Sequence, residues 1–307
     1  METLYLTHPA CRLHDMGSWH PESPQRLDAL GDQMLASGLA SYVVPGEAEP
    51  APRESVERVH DAAYVAALLD HAPTEGVKAW DPDTLQSTHT AHAALCAAGA
   101  GIAGVDAVMA GTAATAFCAV RPPGHHALRD RPMGFCFINN IAVAAMHAID
   151  HHGLSRVAIV DFDVHHGNGT EAYFAGDDRV LMCSFFQHPF FPNSGTDHPA
   201  ANMVNIPVPA YTTGASIREI ASTQWLPRLD AHRPQLILIS AGFDAHREDD
   251  MGQLGLVESD FAWLTEQIVA VADRHAQGRV VSMLEGGYNL SALGRSVVAH
   301  IRALSKL

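Results

Sequence analysis

Short runs of apolar residues punctuate the chain at Leu4–Leu6, Ala116–Val120, Val157–Val160, Val180–Cys183, Leu236–Ile239 and Val280–Leu284. They are continuous rather than alternating, the pattern of strands buried on both faces of a parallel sheet. Between them the spacing turns helical. Asn140–His151 predicts a helix that stops before Gly153. Ser259 is the expected N-cap of a helix that places Phe261, Leu264, Ile268 and Val271 on one face and ends near Gly278. The last segment repeats Leu293, Val297, Ile301 and Leu304 at helical intervals. Strands alternating with helices predict βαβ units, and hence an α/β fold with a single open, mostly parallel sheet flanked by helices. No repeat, low-complexity tract or long linker divides the sequence, so residues 1–307 are expected to form one domain.

Four of the runs lead directly into polar clusters. Val120 is followed by Arg121-Pro-Pro-Gly-His125-His126, and Val160 by Asp161-Phe-Asp163-Val-His165-His166-Gly-Asn168-Gly. Ile239 leads to Ser240-Ala-Gly-Phe-Asp244, and Leu284 to Glu285-Gly-Gly-Tyr288-Asn289. In a parallel sheet the carboxyl ends of all strands lie along one edge, where ligands bind. Four distant clusters are thereby expected in one crevice.

Composition narrows what that crevice serves. Hydrophobic residues make up 47% of the 307 and charged ones 17%, which excludes compositional disorder. Thirty-four acids against nineteen bases give a net charge of −15. That balance argues against a nucleic-acid partner, which needs clustered Lys and Arg, and favours the approach of polycationic substrates. The low-charge stretch Ala93–Val120 is broken by Asp106, and neither half reaches the roughly 18 apolar residues of a membrane span. The first fifteen residues carry Glu2, Arg12, His14 and Asp15 and no apolar core, so no secretory signal is expected. Five cysteines (Cys11, Cys96, Cys118, Cys136, Cys183) include no C-x-x-C, which speaks against a disulfide framework or structural zinc and for a reducing cytoplasm. Nothing in the pattern announces or excludes a homo-oligomer.

Histidine is the unusual residue, with 20 copies. Asp163 and His165 stand two apart just past a strand and point to one side of extended backbone, so a carboxylate and an imidazole can share a cation. Asp244 can supply a third ligand, leaving the open coordination position of a catalytic zinc. A lone D-x-H is more often a surface loop; the three other clusters reverse that weighting. His125-His126 follows a rigid turn and can move protons near neutral pH. His151-His152-Gly153 is also a pair, but it marks a helix C-terminus, where His and Gly are favoured without any chemistry. Asp161 can orient one histidine of the first pair and Asn168 the other. Tyr288, after two glycines, can donate to a developing oxyanion; alone, it would be read as packed aromatic. His60, His71, His92, His147, His232, His275 and His300 are expected to be structural or solvent-facing.

Together these residues resemble a known family. R-P-P-G-H-H at Arg121–His126, G-F-C-F-I-N-N at Gly134–Asn140, D-F-D-V-H-H-G-N-G at Asp161–Gly169, S-A-G-F-D at Ser240–Asp244 and E-G-G-Y-N at Glu285–Asn289 look like the zinc-dependent histone deacetylase superfamily. H-P-E-S-P-Q-R at His20–Arg26 and Asn at position 168 resemble its class II-like branch, with bacterial histone deacetylase-like amidohydrolases the nearest likeness. The resemblance implies the arginase–deacetylase fold and one Zn²⁺ held by Asp163, His165 and Asp244. It implies His126 as general base and then acid, His125 as its electrostatic partner, and Tyr288 as the group polarising the amide carbonyl. Phe135 and Phe191 would wall an acyl-lysine tunnel, with Gly134, Gly287, Met251 and His20 in the substrate-binding set. A structural K⁺ is implied at Asp161, Asp163, His165, Ser184 and Phe185. Met251 falls where polyamine-specific relatives place a Glu, which favours an acyl-lysine over an acetylpolyamine. A di-manganese ureohydrolase needs more bridging carboxylates than the single Asp244 of its cluster provides. A catalytically inactive acyl-binding relative would be expected to lack the base or the tyrosine.

Overall fold

In the computed structural model, which describes residues 2–307, each continuous apolar run falls on a strand, five of the six wholly inside it. In chain order these are β1 Thr3–Thr7, β2 Val43–Glu47, β3 Val77–Ala79, β4 Leu85–Ser87, β5 Thr115–Cys118, β6 Val157–Asp161, β7 Val180–Gln187, β8 Met203–Val208, β9 Leu236–Ala241 and β10 Val280–Leu284. β3 and β4 form a small antiparallel hairpin. The other eight make one sheet in the order β2-β1-β5-β10-β9-β6-β7-β8, every pairing parallel.

The two outermost strands, β2 and β8, carry no continuous apolar run. β2 is Val-Val-Pro-Gly-Glu and mostly uncovered, and β8 contains Asn205 and Pro207. Proline is tolerated at a sheet edge because its missing N–H is not needed there. β7 extends past Cys183 to Gln187, since Phe185 and Phe186 are buried and pair with β8. β5 stops at Cys118, short of Val120.

Helices cover both faces. Val281 and Met283 of β10 meet the helix Thr90–Ala110, which approaches closely because Gly101 and Gly104 offer no side chain: a Cβ on Gly101 would lie 2.9 Å from Met283 Sδ. Ser282, one residue on, points to the other face and bonds His300 Nε2 of the helix Leu290–Leu304 (2.8 Å). Alternation along one central strand thus ties down two helical layers. The helix Thr90–Ala110 corrects one expectation: by length and composition it could cross a membrane, and in this fold it is a largely buried core helix. The helix expected from Ser259 begins earlier, at Glu258. Val257 N–H donates to Asp260 Oδ2 (2.9 Å), so the cap comes from an acid in the first turn and Ser259 lies inside it.

Candidate active site

The four polar clusters follow β5, β10, β9 and β6, which are the four central, adjacent strands of the sheet. Their carboxyl ends therefore open onto one crevice. After β6, Asp163 Oδ1 accepts from the His165 N–H (2.8 Å) and sits 3.0 Å from His165 Nδ1. After β9, Asp244 Oδ1 accepts from the Val164 N–H (2.9 Å), while its Oδ2 lies 3.2 Å from the same Nδ1. After β10, the Gly286 N–H donates to Asp163 Oδ2 (2.9 Å). A Cβ on Gly286 would stand 2.0 Å from Asp244 Oδ2, so only glycine lets this loop close over both carboxylates.

This donor set fits a divalent cation. Ligand atoms of Asp163, His165 and Asp244 all lie within 4.8 Å of one another. All three residues are buried, and Asp244 Oδ2, though 3.2 Å from the His165 ring, makes no well-formed hydrogen bond. An orphaned, buried carboxylate oxygen is costly unless a positive charge meets it. Burial, reinforced by Asp163, pushes the Asp244 carboxyl up to about 7. Burial opposes charge on His165 too, but the two aspartates beside its ring push it up to about 10.

The histidine pair splits into two different groups. His125 Nδ1 meets Asp161 Oδ2 at 2.9 Å. Burial works to lower its pKa, but Asp161, Asp163 and Glu285 hold it well above the ordinary value, as a cation. His126 Nδ1 donates to Asn168 Oδ1 (2.8 Å), leaving Nε2 as its basic atom. Burial and the charges of His125 and His165 hold His126 well below the usual imidazole range, so it is neutral. Its ring lies 4.0 Å from that of His125. One imidazole is thus a fixed charge and its neighbour a free base.

A cavity of about 230 Å³ opens over His126 and His165. Gly134, Phe135, Phe191, Met251 and Tyr288 line it, as do Asp83, Phe190 and Asp250. Gly134 has φ +55°, and a Cβ there would lie 2.6 Å from His126 Cδ2, so its bareness lets the chain pass beside the base. Burial and the neighbouring Asp244 raise Tyr288 well above 10, keeping its phenol protonated. Two expected pocket residues lie elsewhere. His20 is buried behind the wall, its ring 4.6 Å from Phe135, with Nε2 on Asp83 O and Nδ1 accepting from the Glu22 N–H. Gly287 faces Leu293 and Phe243, and its carbonyl accepts from Arg26 Nε (2.7 Å). Both shape the site without lining it. Asp161, Ser184 and Phe185 are buried beneath, with Asp161 and Ser184 register partners across β6 and β7.

Several residues that matter gave no such signal. Glu285 Oε2 accepts from the N–H groups of Gly124 and His125 (2.7 and 3.1 Å), joining two of the loops; burial pushes its carboxyl up to about 7. Arg26 grips the carbonyls of Glu285 and Gly287 and bonds Glu22 (2.9 Å), which also pairs with Arg121. All three side chains are fully buried. H-P-E-S-P-Q-R and R-P-P-G are therefore two halves of one charged clamp behind the tyrosine loop. Asp249 Oδ2 accepts from the N–H groups of Tyr288 and Asn289. Phe190 stacks on His165 at 5.5 Å. His300, by contrast, is structural as expected: it bridges Thr265 and Ser282, and burial lowers it to about 3.

Comparison with known proteins agrees with this geometry. A family model described as a histone deacetylase domain matches residues 20–304. The chain is 37% identical to a histone deacetylase-like amidohydrolase of Pseudomonas aeruginosa, over 93% of this chain and 77% of that one. It is 35% identical to a probable deacetylase of Archaeoglobus fulgidus, over 94% and 82%. Type-2 histone deacetylase 2 of Dictyostelium discoideum is also 35% identical; there this chain spans 21% of a longer protein. The crystal structure of the HDA15 HD domain superposes with a TM-score of 0.92 at 30% identity, covering 100% of this chain and 90% of that one.

Proposed function

This chain belongs to the histone deacetylase family, and on that premise we propose that it is a zinc-dependent hydrolase removing acetyl or other acyl groups from Nε-acyl-lysine or a related acylated amine. The observation that carries this reading is the buried Asp163–His165–Asp244 set, with its unpartnered Asp244 oxygen, facing a neutral His126 across one cavity. These three residues would hold the Zn²⁺, which when bound polarises a carbonyl and acidifies a water. His126 Nε2 takes the proton of the attacking water and returns it to the leaving amine. Asn168 fixes the tautomer that leaves Nε2 free. The His125 cation, anchored by Asp161, keeps His126 a weak enough base to release that proton. The Tyr288 phenol donates to the developing oxyanion, steadied by the Arg26 guanidinium 5.0 Å from its ring centre. Phe135 and Phe191 flank the acyl chain and exclude water. A K⁺ at Asp161, Asp163, His165, Ser184 and Phe185 belongs to the same proposal, supported by the Asp161–Ser184 register. Five free, buried cysteines support the cytoplasmic reading.

An acetylpolyamine is the second reading, and one observation favours it. Asp83 and Asp250 line the cavity beside Met251, so carboxylates as well as an apolar side chain meet the incoming amine. The test is a panel of acetyl-lysine peptides and acetylated polyamines, each with and without a zinc chelator. Chelator-sensitive turnover is expected. Turnover that survives full removal of zinc, or no turnover of any acylated amine, refutes the reading.

A further inference from the structure

Helices Thr90–Ala110 and Asn140–Asp150 both run back from the carboxyl edge of the sheet, since each precedes a parallel strand, β5 and β6 respectively. Their C-termini therefore meet at the amino edge, opposite the candidate active site. There Asp106, from the first helix, faces His147, His151 and His152, from the end of the second. Ligand atoms of all four lie within 4.8 Å of one another. His147 and His151 are four apart on one helical face, and their rings stack at 4.9 Å and 12°. His147 Nε2 and His152 Nε2 converge on the same atom, Asp106 Oδ1, each at 2.7 Å.

We propose that Asp106, His147, His151 and His152 form a second metal site, for a divalent late first-row cation such as Zn²⁺, that clips the two helix ends together. The proposal does not rest on the deacetylase reading. Three imidazole nitrogens and one carboxylate oxygen are the donor set such ions prefer. A tetrahedral zinc with nitrogen ligands at about 2.0–2.1 Å spaces them roughly 3.3 Å apart, so the two 2.7 Å pairs would open and any wider ones, none beyond 4.8 Å, would close. Two helix C-termini add negative potential where the cation would sit. The ends being joined lead into β5 and β6, whose following loops carry His125, His126, Asp163 and His165, so an ion here braces the frame without touching the cavity. His8, His92 and Cys96 also cluster, but His8 Nδ1 already accepts the Ala10 N–H (3.0 Å), which commits Nε2 to carrying the proton.

The test is calorimetric titration of the chelator-stripped full chain with Zn²⁺ alone, with metal content measured after gel filtration. Wild type is expected to hold two equivalents. His147→Ala/His151→Ala is expected to hold one and to keep its deacylase activity, which also certifies its fold. Asp244→Ala is expected to lose the other equivalent and to show a thermal midpoint that still rises on adding Zn²⁺. Equal stoichiometry in wild type and the double variant, or an outer ion bound only at millimolar Zn²⁺, overturns the proposal; one equivalent in wild type that the double variant loses supports it and counts against zinc at Asp244 instead.

Discussion

Asp163, His165 and Asp244 gather their ligand atoms within 4.8 Å of one another, and at the opposite edge of the same sheet so do Asp106, His147, His151 and His152. The residue types are the same. Their surroundings are not. The carboxylates of the first group are 1% and 0% exposed, whereas Asp106 is 49% exposed. In the first group every charge is felt by its neighbours through a medium that screens poorly, so Asp244 rises, His125 becomes a fixed cation and His126 stays neutral. In the second, water and salt screen the same attractions. Similar clusters thus yield a set of groups with distinct chemical roles in one place and, in the other, ligands available to an ion but bound to no reaction.

The largest effect separating them is catalytic. Tyr288→Phe removes one donor from the buried site while leaving the metal-ligand residues alone. Losing an oxyanion donor costs about 2.7–4 kcal/mol, or on the order of 100- to 1,000-fold in kcat. Steady-state kinetics on the best substrate, with metal content unchanged, measures it; an unaltered kcat removes Tyr288 from the reaction.

The buried site was legible in the sequence for a reason that does not extend to the surface one. Asp163 and His165 are near neighbours in the chain, and each cluster follows a recognisable buried run, so parallel-sheet logic alone sends all four to one edge. What that logic does not give is strand order. β5, β10, β9 and β6 are adjacent in the sheet but far from consecutive in the chain. The clamp of Glu22, Arg26 and Arg121 was hidden similarly: its halves are about a hundred residues apart, and no periodicity marks a buried charge. His151-His152 was correctly placed at a helix C-terminus, but Asp106, on another helix, interrupted a stretch read only for its apolarity. The edge strands β2 and β8 escaped because partial exposure relaxes the demand for unbroken apolar sequence.

A smaller effect sharpens the electrostatic half of the comparison. Asn168 accepts from His126 Nδ1 with a neutral oxygen. Asn168→Asp puts a negative charge there, which favours the imidazolium and raises the His126 pKa. The acid limb of kcat/KM, where the base becomes deprotonated, is expected to move to higher pH by about 1 unit. A pH–rate profile whose acid limb stays in place refutes His126 as the group behind it.

The smallest effect belongs to the surface. Burial works to raise the Asp106 pKa, but the hydrogen bonds from His147 and His152 hold it below the ordinary aspartate value. A depressed carboxylate contributes stability above the unfolded-state pKa and loses it as pH falls through the folded value. With half of the side chain in water, that contribution is about 0.2–1 kcal/mol for an exposed pair. In metal-free protein, Asp106→Asn is therefore expected to lower stability by no more than this near neutral pH, and the difference from wild type is expected to vanish below the ordinary aspartate range. Urea unfolding at several pH values measures both. A loss several times larger, or one that persists in acid, would mean that Asp106 is held as tightly as the buried carboxylates, and the contrast between the two edges of the sheet would fail.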